Sequence, residues 1–175
     1  MTRRPAVLLL GHKLIERAQW VRRNPTSLVL LLRTYLLLIV MRGVIAVLPL
    51  RWITSRLGVP MLETPKVGVP ADQLRFARRV NWAIHRVSPR TPTNSNCYPQ
   101  ALAARWLLRR KRIPTTFYYG AAFDEGGSAL EAHVWLRCGD LIITGGGAHR
   151  RRFAPLSWFA DTPGSARTGG RRPRI

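Results

Sequence analysis

The apolar residues of this chain follow two rhythms. Up to about residue 111 they recur at helical spacing, and beyond it they alternate. Residues 6–22 set Leu8, Leu9, Ile15 and Trp20 among polar neighbours, which predicts a first helix. Asn24-Pro25-Thr26-Ser27 is a break rich in capping residues. Leu28 to about Val47 predicts a second helix, apolar nearly all round. Leu48-Pro49-Leu50 interrupts it, Arg51 to Leu57 makes a short basic amphipathic turn or two, and Gly58-Val59-Pro60 closes the unit. Thr64 to Pro70, with two prolines and a glycine, reads as a linker.

A second unit begins near Ala71. Asp72 to Val87 places Leu74, Ala77, Val80, Ala83 and Ile84 on one helical stripe. Ser88 to Pro92 is a loop, and a further helix runs from the region of Cys97 to about Lys111, ended by Ile113-Pro114. The period then changes to two. Thr115 to Phe123 predicts a strand, Asp124 to Ser128 a loop, Ala132 to Cys138 a second strand, and Leu141 to Thr144 its hairpin partner across a turn at Gly139-Asp140. Gly145-Gly146-Gly147 ends that strand, and Phe153 to Phe159 is expected to pack back on the core. The tail from Thr168 to Ile175 has the composition of disorder. Helices first and a small antiparallel sheet afterwards make an α+β architecture. The expected division is a helical N-terminal region over residues 1–62, a catalytic-type domain over 63–162 and a basic tail over 163–175.

Composition changes this picture at a few points. A hydrophobic content of 46% suffices for a core, and 175 residues suit one domain with appendages. Against 8 Asp and Glu stand 29 Lys and Arg, a formal net charge of +21. Such a surface attracts phosphate, anionic lipid or acidic peptide and does not specify a fold. The Arg clusters are not interleaved with aromatics and no nucleic-acid motif is present, so specific nucleic-acid binding is not expected. Two cysteines make no disulfide framework and suggest a reducing, cytoplasmic setting. Without Cys-x-x-Cys or His-x-x-x-His pairs, no metal site and no cofactor is expected. Met1 to Leu10 lacks a cleavage site and does not read as a signal peptide. Leu28 to Leu48 is long enough to span a bilayer, but Arg33 and Arg42 interrupt it at about 2.5–3.5 kcal/mol each at mid-bilayer. A helix packed on the domain, or lying on a membrane surface, is the expectation.

Chemistry concentrates at Asn94-Ser95-Asn96-Cys97-Tyr98-Pro99. Asn94, Ser95 and Asn96 are N-cap residues and Pro99 fits only a first helical turn, so Cys97 belongs at or near the first position. The first N–H groups of a helix lack internal partners and carry partial positive charge. A thiolate placed there gains from that field, and the same N–H groups can act as an oxyanion hole. An isolated cysteine is ordinarily a packing residue, and a base changes that reading. His133, on the strand Ala132-His133-Val134-Trp135 and sharing a face with Trp135, is the candidate base. Cys138, five residues on, faces the other way and reads as packing. Trp135 reads as core. His12, His85 and His149 have no identifiable role. Gly145 to Gly147 is no phosphate loop, because no Lys-Ser or Lys-Thr follows. Arg109 to Arg112 and Arg150 to Arg152 read as solvated charge or as a grip on acidic residues.

Cys97-Tyr98-Pro99-Gln100-Ala101-Leu102-Ala103-Ala104-Arg105-Trp106-Leu107-Leu108-Arg109-Arg110, then Ile113-Pro114, Gly120 and Ala132-His133-Val134-Trp135-Leu136, closely resembles the peptidase domain of lasso-peptide biosynthesis B proteins, within the transglutaminase-like cysteine peptidase superfamily. The resemblance covers roughly residues 70–160, and the Leu-rich N-terminus looks like the stand-alone peptidase form. It implies removal of the leader from a ribosomally made precursor peptide, with Cys97 as nucleophile and His133 as base. It also implies a small, PqqD-like leader-binding protein and a separate ATP-dependent lasso cyclase as partners. Acyl transfer on the same fold, or a catalytically weak basic adaptor at a membrane surface, are the alternatives. The family's acidic residue, on the strand after the histidine, falls at Gly145 here. Asp140 lies roughly 20 Å along the strand, at about 3.3 Å per residue. A backbone carbonyl, Asn94, Asn96 or Asp161 is left as the candidate orienting group for the imidazole, or the imidazole has none.

Overall fold

The computed structural model describes residues 25–92, 95–124 and 126–161. The expected helix over 6–22 and the basic tail lie outside the described residues. The elements are α1 (Pro25–Val47), α2 (Leu50–Thr54), β1 (Val59–Pro60), α3 (Ala71–Val87), α4 (Cys97–Arg109), β2 (Thr115–Phe123), β3 (Leu130–Cys138), β4 (Leu141–Thr144) and β5 (Ala154–Asp161), with single 3₁₀ turns at Ser88–Arg90 and Ala148–Arg152. Helices precede an antiparallel sheet, so the α+β expectation holds.

The sheet order is β1-β5-β2-β3-β4, with every neighbouring pair antiparallel. β2 lies at the centre. Strand alternation sends Phe117, Val134, Leu136, Cys138 and Ile143 into a core shared with the helices. The stripe expected on α3 is there: Ala77, Val80, Ala83 and Ile84 are fully buried. From α4, Ala101, Ala103, Ala104 and Leu108 are buried too, and alanines at these positions let the helix lie close to the strands. The other face of the sheet carries a smaller cluster of Tyr118, Trp135 and Phe153, with Ile142 and Trp158 packed against it.

α1 belongs to the main core. Leu30, Leu37 and Leu38 are buried against the helical layer, and Thr34 inside the helix donates its hydroxyl to Leu30 O at 2.7 Å. Each buried leucine is worth about 1.5–3 kcal/mol. α1 is long and apolar enough to cross a membrane, and it packs on α3 and α4 along one side.

Two strands were missed by sequence patterning. Phe153 to Phe159 does more than pack back: residues 154–161 form β5, inserted between β1 and β2. Val59-Pro60, expected to close a helical unit, forms the edge strand β1 opposite Ala160 and Phe159. An edge is where a strand tolerates proline. Gly58 makes this pairing possible: its φ is +113°, and a Cβ there would lie 2.1 Å from Ala160 O. The linker after it is pinned to the sheet. Thr64 is buried, its N–H donates to Thr116 Oγ1 at 2.9 Å, and buried Arg137 donates to Thr64 O at 2.8 Å.

Candidate active site

Cys97 is the first residue of α4, with Asn96 at the N-cap in extended conformation. No side chain makes a capping bond to the helix start. Instead Gln100 reaches back, its Nε2 donating to Ser95 O at 2.7 Å, while Ser95 and Thr91 pair their hydroxyls at 2.8 Å. The turn before the helix is thus fixed by side chains on both sides of Cys97. The thiol is half-buried and packs against the core shared by helices and sheet.

The next residue anchors that turn to the sheet. Tyr119 of β2 donates its hydroxyl to Tyr98 Oη at 3.0 Å, and the two rings lie 5.8 Å apart. Burial pushes the Tyr119 hydroxyl far above the ordinary tyrosine range, with its bond to Tyr98 adding to the shift. Burial also raises Tyr98, partly offset by the bond it accepts. Both phenols therefore stay neutral, and the tether persists, across the physiological range.

His133 stands opposite Gly120 in the β2–β3 ladder. Its ring is half-buried, stacked on Phe153 at 4.7 Å and on Trp135 at 6.1 Å. Its Nε2 lies 2.9 Å from Gly145 O. A carbonyl oxygen only accepts, so Nε2 carries the proton and Nδ1 of the neutral ring keeps its lone pair. Of the orienting groups the sequence offered, the backbone carbonyl is the one found, and Gly145 is the position where the acid was expected. Gly145 has φ +67°, and a Cβ on it would lie 2.2 Å from Val134 O and 2.9 Å from Trp135 Cβ. No side chain fits there in this backbone conformation.

The other candidates lie elsewhere. Asp161 pairs with Thr115 at the opposite end of β2 from Gly120, about 17 Å away at about 3.3 Å per residue. It is buried in ion pairs with Arg105 (3.4 Å) and Arg109 (3.7 Å). Asp140 is exposed at the far hairpin turn. Asn96 is exposed at the N-cap of α4, and Asn94 lies outside the described residues.

Cys97 and His133 approach β3 from different sides. Val134 faces the helical layer, where the thiol packs, while His133 beside it faces Trp135 and Phe153. Thiol and imidazole thus lie on opposite faces of the sheet in this conformation. Cys138 is fully buried on the helical side, and desolvation lifts its thiol to about 11, which keeps it protonated and inert. Trp135 is buried and stacked on Tyr118 at 5.2 Å. Arg150 sits over Trp135 at 5.6 Å, and Arg152 pairs with Glu131, so part of the 150–152 cluster braces the His133 side of the sheet. No group of three His, Cys, Asp or Glu that could hold a metal occurs among the described residues.

Comparison with known families gives a match to the transglutaminase-like superfamily core over residues 40–158. No curated protein and no solved structure matches the chain.

Proposed function

The chain belongs to the transglutaminase-like superfamily, which includes cysteine peptidases and acyltransferases, and we propose that it is a cysteine peptidase that removes the leader from a ribosomally made lasso-peptide precursor. The observation that carries this reading is the bond from His133 Nε2 to Gly145 O, because it orients the imidazole of the candidate base and places a proton on Nε2.

The chemistry follows from the positions. This reading requires Nδ1 to reach Cys97 Sγ by local movement, in the free chain as well as with substrate, since catalytic hydrogen bonds in unliganded enzymes are often long. Nδ1 takes the thiol proton, and the thiolate attacks the carbonyl carbon of the leader's last residue. N–H groups at the start of α4 donate hydrogen bonds to the developing oxyanion. The imidazolium returns its proton to the departing core amine as the C–N bond breaks. Water, deprotonated by Nδ1, then cleaves the thioester and regenerates the thiol. A neutral carbonyl stabilises the imidazolium less than a carboxylate does, so turnover is slower than in an enzyme with the acid in place.

The partners of this reading are the precursor, a small PqqD-like leader-binding protein and the ATP-dependent cyclase that uses the freed amine, all in a reducing cytoplasm. The resemblance around Cys97 and His133 supports them. Incubating the chain with a precursor and its leader-binding protein, with mass spectrometry of the products, tests the assignment. Free leader and free core are expected, and both should vanish in Cys97→Ala. A new amide in place of hydrolysis would transfer the assignment to the acyltransferase alternative.

A further inference from the structure

One side of α1 is unused by the fold. Val29, Leu32, Leu36, Val40 and Val47 are 48, 61, 54, 55 and 79% exposed, while Leu30, Thr34, Leu37 and Leu38 on the opposite side are buried. Their spacing of three, four and seven residues sets the exposed set in a single line along the helix. From Val29 to Val47 the line is about 27 Å long at about 1.5 Å per residue. Leu50 and Trp52 of the adjoining α2 are exposed as well.

The charge around this line has one sign. From Pro25 to Leu62 there is no Asp or Glu, whereas Arg33, Arg42, Arg51 and Arg56 are present and exposed. Beside the line, α1, α3 and α4 enclose a groove of about 910 Å³, with Val29, Leu36 and Val40 among its walls and Arg33, Arg110 and Lys111 also lining it. An apolar strip edged only by cations is complementary to an anionic bilayer, where acyl chains meet the strip and phosphates meet the arginines. Trp52 at one end has the amphipathic ring that settles at the headgroup level.

We infer that α1 is a monotopic membrane-docking surface: the helix lies in the plane of an anionic leaflet by its Val29-to-Val47 line and keeps its opposite side in the protein core. A transmembrane orientation would strip Leu30, Leu37 and Leu38 from that core. This inference is independent of the peptidase reading.

The test is co-sedimentation of the full-length chain with phosphatidylglycerol–phosphatidylcholine vesicles, and with phosphatidylcholine vesicles alone, at physiological salt. Binding to the anionic vesicles is expected. The Leu32→Ser, Leu36→Ser, Val40→Ser triple variant should bind at least about tenfold more weakly, with unchanged circular dichroism and melting. Arg33→Gln with Arg42→Gln should lessen the preference for the anionic vesicles. If the triple variant binds like the parent, the +21 charge alone accounts for the binding and the inference falls. It falls equally if the parent ignores vesicles and instead forms a soluble dimer that the triple variant abolishes.

Discussion

The imidazole of His133 is held at 2.9 Å by the backbone carbonyl of Gly145, a residue whose positive φ and crowded Cα exclude any side chain. The orienting group is therefore built into the backbone at the place where an acid was expected. Restoring an acid by Gly145→Asp should not improve catalysis. The new Cβ would collide with Val134 O, and the left-handed backbone adds roughly 1–3 kcal/mol of strain. Turnover should fall below that of the parent, with a lower denaturation midpoint, as read by steady-state kinetics and urea unfolding.

The Tyr98–Tyr119 hydroxyl pair ties the first turn of α4 to β2. Tyr119→Phe removes the donor and leaves Tyr98 Oη half-buried. The expected loss is about 1 kcal/mol in stability. Precursor cleavage should slow by more than stability alone explains, because Cys97 adjoins the released residue. Chemical denaturation together with a cleavage assay separates the two effects.

Burial raises Tyr98, Tyr118 and Tyr119 in the folded chain. A group whose folded pKa lies above its unfolded value contributes stability that is present below the unfolded value, about 10 for tyrosine, and is lost as pH climbs through the folded one. Stability should thus be flat in these groups through neutral pH and decline above about pH 10. Tyrosinate absorbance should then rise together with unfolding, whereas independent early ionisation of all the tyrosines would contradict the burial described.

Arg105 and Asp161 form a buried pair joining α4 to β5, and Arg105 also donates to Arg56 O at 2.7 Å. Desolvation raises the Asp161 carboxyl although Arg105 and Arg109 pull it back. Asp161→Ala leaves Arg105 buried without its counter-charge and should cost about 3–5 kcal/mol in urea denaturation. A loss within experimental scatter would show that the pair does not hold the sheet to the helix.

The helices and the β2–β3–β4 meander were legible because each repeats its own period over many residues. α3 shows this through Ala77, Val80 and Ala83, and β2 as nine continuous strand residues. β1 and β5 were not. β1 is only two residues long and one of them is Pro60. β5 contains Pro155, and the register shift opposite Tyr119 and Gly120 breaks its alternation. In the site, Cys97 at the helix start was readable from Asn96 and Pro99. The group orienting His133 was not, since a backbone carbonyl leaves no residue signature; the glycine run at 145–147 was the single hint. That thiol and imidazole face different sides of β3 follows from alternation once Val134 is known to face α4, a fact that depends on packing.

The pairing of Cys97 with His133 is tested most directly without any substrate. The rate of iodoacetamide labelling at Cys97 at neutral pH is followed by peptide mapping, with buried Cys138 as internal reference, in the parent chain and in His133→Ala. Rapid labelling of Cys97 in the parent, slowed at least about tenfold in His133→Ala, is the predicted result, since the thiolate is the reactive form and a neighbouring base generates it. Equal labelling rates in the two proteins, with the fold intact, would contradict it.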